Sequence, residues 1–172
     1  LQVPEAKQLA VEFHTLSKSY SMAGWRLGFA VGNREILASL AKTKSYVDFG
    51  IFRAVQWAAI KALLGPQDCV TQTVEAYRTR RDAFVGGLQR IGWDVPLPKS
   101  TFYVWAKIPL KFSALTSLEF ATLLMQEAGV VMAPGSGFGE YGEGYVRFAL
   151  VEPEATLRHA VTRIERVLRM ED

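Results

Sequence analysis

Apolar and polar residues alternate through Leu9-Ala10-Val11-Glu12-Phe13, which predicts a strand with Leu9, Val11 and Phe13 on one face. Residues 15–24 form a polar loop, and Gly28-Phe29-Ala30-Val31-Gly32 predicts a second, short and buried strand. Asn33 is placed to cap a helix whose apolar stripe is Ile36, Leu37, Leu40 and Ala41. Residues 54–64 are apolar almost all round, which predicts a buried helix, and Gly65-Pro66 ends it. Beyond that pair, Val70, Val74, Tyr77, Phe84, Leu88 and Ile91 keep a helical period, interrupted by Arg81 and by Gly86-Gly87 and closed by Gly92.

The second half alternates strands and helices. Residues 93–95 and 102–108 read as strands around a Pro-Leu-Pro-Lys-Ser turn. Thr116-Ser117-Leu118-Glu119 matches a capping box that opens a helix lined by Phe120, Leu123, Leu124 and Ala128 and stopped by Gly129. Strands follow at 130–133 and 145–150, then a helix that starts at Pro153 and turns Leu157, Val161, Ile164 and Leu168 inward. These elements predict an α/β fold, its second half a small antiparallel or mixed sheet covered by helices. Gly65-Pro66 is the best candidate boundary, dividing the chain into residues 1–66 and 67–172.

Composition narrows the class. The 172 residues are 49% hydrophobic and 22% charged, the balance of a folding domain, and the net charge is +3. The basic residues are spread along the chain with no recognition motif, which disfavours nucleic acid; Arg78, Arg80 and Arg81 read as a solvated helix face with some salt bridges. Cys69 is the single cysteine, so no disulfide forms within the chain, and a reducing cytoplasm fits. No apolar run approaches the ~20 residues that span a membrane, and no signal peptide opens the chain. The chain begins with Leu1 and reaches its most chemical stretch almost at once, as a fragment lacking an N-terminal part would. No residue cluster is assigned to a metal.

That stretch is Thr15-Leu16-Ser17-Lys18-Ser19-Tyr20-Ser21-Met22-Ala23-Gly24-Trp25-Arg26-Leu27-Gly28. Burying an unpaired ammonium costs several kcal/mol, so a lysine set between apolar segments needs a chemical reason. A lysine that loses its proton on burial becomes a nucleophilic amine suited to Schiff-base chemistry with a carbonyl. The residues therefore suggest a carbonyl cofactor on Lys18, its anionic end held by Arg26 and the hydroxyls. His14 reads as a packed or partly exposed side chain, since Lys18 already offers a base. Gly137-Phe138-Gly139-Glu140-Tyr141-Gly142 fits the dinucleotide pattern G-x-G-x-x-G, but an alternating strand follows where a helix is required. Arg147 lies among Val146, Phe148, Ala149 and Leu150. It is either an edge arginine whose head reaches water or a rigid fork for a carboxylate, and Lys18 favours the fork.

The 15–28 stretch resembles the cofactor-lysine signature of class I aminotransferases, the aspartate aminotransferase-like branch of fold-type I pyridoxal-phosphate enzymes. The resemblance continues through Tyr-Arg-Thr-Arg-Arg-Asp at 77–82, Thr-Phe-Tyr-Val-Trp at 101–105, Pro-Gly-Ser-Gly-Phe-Gly at 134–139 and Tyr-Val-Arg at 145–147. It is nearest in character to the bacterial alanine, aspartate and LL-diaminopimelate aminotransferases. It implies the C-terminal part of such an enzyme: residues 1–66 from the end of the large cofactor domain, and residues 67–172 as connecting helix and small domain. Lys18 would carry pyridoxal 5'-phosphate as a Schiff base, Thr15, Ser17 and Arg26 would bind its phosphate, Arg147 the substrate carboxylate, and Phe138 would lie beside the substrate. Thr15 stands where the family usually has Ser or Gly. The implied substrates are an amino acid and a 2-oxo acid, and the implied assembly is a cytoplasmic homodimer. The same scaffold also admits a lyase or decarboxylase, or a non-catalytic folding or dimerising module.

Overall fold

In the computed structural model, which describes residues 1–170, the first strand starts later than the alternation predicts. Leu9 ends a one-turn helix, α1 (Ala6–Leu9), closed by the Ala10 N–H on the Ala6 carbonyl, and β1 is Val11–Thr15. β1 pairs antiparallel with β2 (Gly28–Gly32), in a register that sets Val11 opposite Gly32 and Thr15 opposite Gly28. Strand β2 is not buried as its apolar run suggests: Phe29 and Val31 are exposed. A two-stranded ladder has open faces unless another layer covers them.

Asn33 caps α2 (Arg34–Val47) as expected, its Oδ1 accepting from the N–H groups of Glu35 and Ile36 at 2.8 and 2.9 Å. The next helix, α3 (Arg53–Leu64), departs from expectation, because only Ala59 on it is buried and Trp57 is 64% exposed. The apolar contacts that hold this part together are few: Leu16, Leu27 and Ala59 are buried, with Tyr20, Met22 and Val55 packed against them.

The chain forms two compact units, Leu1–Val74 and the residues from Glu75 onward, and the change falls inside the long helix α4 (Asp68–Arg90). The second unit has a dense core. β3 (Tyr103–Lys107), α5 (Ser117–Ala128), β4 (Ala133–Pro134), β5 (Tyr145–Ala149) and α6 (Glu154–Leu168) follow α4, and the sheet is antiparallel in the order β3-β5-β4. Helix α5 opens with the full capping box: the Thr116 hydroxyl accepts from the Glu119 N–H, and the Glu119 carboxylate accepts from the Thr116 N–H at 2.8 Å. The Thr116 hydroxyl, which also donates to the Glu119 carboxylate at 2.7 Å, and then the Thr116 N–H hold the Glu119 carboxyl below its ordinary pKa. Gly129 ends the helix at φ 61°, where glycine pays no Cβ penalty. Val104, Ala106, Val146 and Phe148 point from the sheet into the core, against Phe84, Leu88, Phe120, Leu124 and Ile164 from the helices.

Residues 93–95 and 130–133 do not form the strands read from sequence, the second contributing only the short β4. Trp93 and Val95 are buried all the same. Their segment is fixed by side chains instead of a ladder: Trp93 Nε1 donates to the Lys107 carbonyl at 2.7 Å, and Gln89 Nε2 to the Val95 carbonyl at 2.8 Å. The arginines of α4 also do more than face solvent. Arg80 donates to the Leu150 and Val151 carbonyls, and Arg81 to the Pro98 carbonyl, so both tie loops to the helix.

Gly87 explains the glycine in the middle of α4. A Cβ there would lie 2.8 Å from Val161 Cγ2, so the absence of a side chain lets α6 approach. We expect Gly87→Ala to destabilise the protein by about 1–3 kcal/mol in urea unfolding, the usual scale of overpacking, despite alanine's better helix propensity. In a double-mutant cycle, Val161→Ala should relieve that loss, whereas independent effects would simply add.

Candidate functional site

The lysine loop is built on the end of a ladder. Thr15 and Gly28 are the last pair of β1–β2, and a Cβ on Gly28 would sit 2.5 Å from the His14 carbonyl oxygen. Buried Leu16 anchors the start of the loop: its N–H donates to the Leu27 carbonyl, and its own carbonyl accepts from the Tyr20 and Met22 N–H groups. Lys18 follows two residues later and is exposed. The burial expected of this lysine is thus not provided by the described residues.

Two of the three groups expected to hold an anion meet at that end of the ladder, and the backbone of the third comes next to them. The Ser17 N–H donates to Thr15 Oγ1 at 3.1 Å, and the two hydroxyl oxygens lie 2.9 Å apart. Thr15 Oγ1 is also 3.4 Å from the Leu27 carbonyl oxygen, which brings the Arg26–Leu27 backbone next to both hydroxyls. Arg26 adopts the left-handed conformation, φ 51° and ψ 48°, which costs a non-glycine residue about 1–2 kcal/mol. Its guanidinium donates to the Ala23 carbonyl at 3.0 Å and remains exposed. A strained residue at such a place is a mark of a functional constraint. Two hydroxyls and a guanidinium on one loop are a donor set suited to a phosphate.

Sequence reasoning missed Gln67. It accepts from the Tyr20 hydroxyl at 2.7 Å and donates to the Ala62 and Gly65 carbonyls, tying the lysine loop to the end of α3. No motif signals that contact, because 47 residues separate the partners. His14 is exposed and stacks on Phe29 at 5.1 Å.

In the second unit, β3 and β5 turn Tyr103, Trp105, Tyr145 and Arg147 to the sheet face away from the core, with Trp105 directly opposite Arg147. The Arg147 guanidinium lies between two rings, its Cζ 4.1 Å from the Tyr103 centroid and 4.3 Å from that of Phe138. Trp105 packs edge-on against Phe138 and stacks on Tyr145. Among the described residues Arg147 enters no salt bridge, and its Nε is buried without a hydrogen-bond partner. An aromatic-lined guanidinium with a donor to spare has the geometry that suits a carboxylate. Tyr103 and Trp105 were legible only as strand residues, although the alternation places them on the face that carries Arg147. The glycine-rich segment before β5 opens no helix: two short 3₁₀ turns, Gly135–Phe138 and Glu140–Gly142, fill it and display Phe138.

The family model for class I and II aminotransferases matches residues 3–164. The chain belongs to that family. It is 53% identical over 169 residues to the glutamate-pyruvate aminotransferase AlaC of Escherichia coli (strain K12), covering 98% of this chain and 41% of the relative. To an LL-diaminopimelate aminotransferase of Syntrophobacter fumaroxidans it is 50% identical, covering 97% of this chain and 42% of the relative. A solved aminotransferase from Staphylococcus aureus superposes with a TM-score of 0.90 at 34% identity, over 98% of this chain and 44% of that one. The fold is therefore that of the aminotransferases, and the chain spans about two fifths of the length of the curated relatives it matches. No helix among the described residues is long and apolar enough to cross a membrane.

The close approach at Gly28 distinguishes two glycines of the signature. Gly28→Ala should lower unfolding stability by about 1–3 kcal/mol, because the clash is with backbone. Gly24 has nothing within 4 Å of an added Cβ, and Gly24→Ala should leave the melting curve unchanged within error.

Proposed function

We propose that this chain is part of a pyridoxal 5'-phosphate-dependent aminotransferase that moves an amino group between an amino acid and a 2-oxo acid. The observation that supports the reading is the 15–28 loop, which joins the hydroxyls of Thr15 and Ser17, returns the Arg26–Leu27 backbone to them and carries Lys18, in a chain of the aminotransferase family. The residues suit the cofactor: the hydroxyls and the guanidinium match a phosphate dianion, and Lys18 supplies a primary amine on the same loop. Residues 1–66 then belong to the cofactor domain, and residues 67–172 to the connecting helix and small domain.

When bound, the cofactor supplies the carbonyl that takes the amino group and the ring that withdraws electrons from the substrate α-carbon. Arg26, Thr15 and Ser17 fix its phosphate and so its orientation. Lys18 would be the residue that holds it covalently, and the Nζ of Lys18 would serve as the base and acid that moves the proton at the substrate α-carbon. Arg147 binds the α-carboxylate through its two-pronged donor edge, while Phe138 and Tyr103 keep water from the faces of the guanidinium. Glutamate with pyruvate as the acceptor, and LL-diaminopimelate, are the substrates to try, given the names of the relatives. We place the whole enzyme in the cytoplasm, consistent with the exposed free Cys69, and assign it a homodimeric assembly.

Borohydride reduction of the full-length polypeptide with pyridoxal phosphate should leave the label on the Lys18 peptide; label on other lysines alone would overturn the assignment. Lys18→Ala should lower kcat by about 10²–10⁴, the usual contribution of a positioned acid–base group. Arg147→Ala should raise KM for amino acid and 2-oxo acid alike by about 10- to 100-fold, as loss of a hydrogen bond between charged groups does. An unchanged KM would remove Arg147 from the carboxylate role.

A further inference from the structure

Phe138 covers one face of the Arg147 guanidinium but is itself half exposed, so its place depends on the backbone that carries it. That backbone is a closed loop. A Cβ on Gly135 would lie 1.9 Å from the Gly142 carbonyl oxygen, and one on Gly142 would lie 2.0 Å from that of Gly135; the two strands of the loop touch at its base. What attaches the closed loop to the rest of the unit is a small polar cluster at the start of α5.

Ser117, the first residue of α5, is wholly buried. Its hydroxyl oxygen accepts from the Ser136 N–H at 3.2 Å and lies 3.0 Å from Ser136 Oγ, holding the loop just after its base. Glu143 follows the loop's other end. Its Oε1 accepts from the Ser117 and Gly144 N–H groups at 2.6 and 3.0 Å, and its Oε2 accepts from the Ser117 hydroxyl at 2.9 Å. The Ser117 hydroxyl has one proton, and giving it to the carboxylate leaves its lone pairs for the Ser136 groups. The two backbone bonds and the Ser117 hydroxyl hold the Glu143 carboxyl below its ordinary pKa, so it stays an acceptor at neutral pH. One carboxylate thus joins the loop that displays Phe138, the start of α5, and the turn leading into β5 three residues before Arg147.

We infer that Glu143, acting with Ser117 and Ser136, is a positioning residue for substrate carboxylate binding: it locks the 135–142 loop so that Phe138 stays on Arg147. Without the clasp the loop lifts, water reaches one face of the guanidinium, and the fork loses the orientation that a carboxylate meets. The loss falls on binding in ground and transition states alike, and so on KM rather than kcat.

This inference rests on the carboxylate role proposed for Arg147, and the test separates the two. In the full-length enzyme loaded with pyridoxal phosphate, Glu143→Ala should raise KM for L-alanine, L-glutamate and their 2-oxo acids about 5- to 20-fold, with kcat within about twofold. Glu143→Gln, which keeps an acceptor for the two N–H groups, should recover most of that loss, and Ser136→Ala should show a smaller rise if Glu143→Ala fails to fold. Glu119→Ala is the control: it breaks the capping box of the same helix without touching the loop, and should cost stability while leaving KM unchanged. Hydrogen exchange should quicken across residues 136–142 in Glu143→Ala and not in Glu119→Ala. In a Phe138→Ala background the Glu143→Ala change should add nothing to KM. If Arg147→Ala raises KM but Glu143→Ala leaves both KM and loop exchange unchanged, or lowers kcat alone, the clasp has no such role. If Arg147→Ala itself leaves KM unchanged, the carboxylate reading fails first.

Discussion

Thr15 faces Gly28 across the last rung of the β1–β2 ladder, and the His14 carbonyl comes so near Gly28 that a side chain there has no room. The lysine loop depends on that approach. It returns the chain after twelve intervening residues with Arg26 and Leu27 beside the hydroxyls of Thr15 and Ser17. Leu16, buried at the start of the loop, converts a polar segment into a fixed one, because its backbone takes up both the returning Leu27 and the turn at Tyr20 and Met22. The left-handed Arg26 is tolerated only because its neighbours on either side are held this way.

The second unit solves a related problem by a different means. An arginine on a strand flanked by apolar residues would ordinarily extend its head into water. Here the antiparallel pairing with β3 and the loop before β5 bring the rings of Tyr103 and Phe138 to 4.1 and 4.3 Å from the Arg147 Cζ. The dense core under the sheet makes that face rigid: Val104, Ala106 and Val146 are fully buried immediately behind Tyr103, Trp105 and Arg147. A side chain mounted on strands backed by such a core keeps its geometry better than one on a free loop.

The helices of this second unit were largely legible. The capping box at Thr116 and Glu119, the stop at Gly129 and the apolar face of α6 each announce a local event that needs no distant partner, and each forms. The strands were less so. Residues 93–95 are as buried as a strand would be, yet Trp93 and Gln89 bond their surroundings through side chains, which periodicity does not register. Arg80 and Arg81 read as a solvated face and instead hold the carbonyls of residues 98, 150 and 151, since a charge pattern says nothing of which loop passes nearby. In the first unit β2 and α3 carry apolar residues that the described chain leaves exposed. Hydrophobicity states that a face tends to be covered, not which element covers it.

The sequence by itself determined the family: a lysine among hydroxyls, an arginine eight residues later, and a second arginine in an apolar strand are fixed by residue type and spacing. It also determined where α2 starts and where α5 starts and stops, because capping and turn geometry are contacts between near neighbours. Only the tertiary structure decided that Arg147 lies between Tyr103 and Phe138, that Gln67 braces the lysine loop, and that Glu143 clasps the loop before β5 to the start of α5. Those partners are 9 to 47 residues apart, and a pairing across that separation is chosen by the packing of whole elements, which no local pattern encodes.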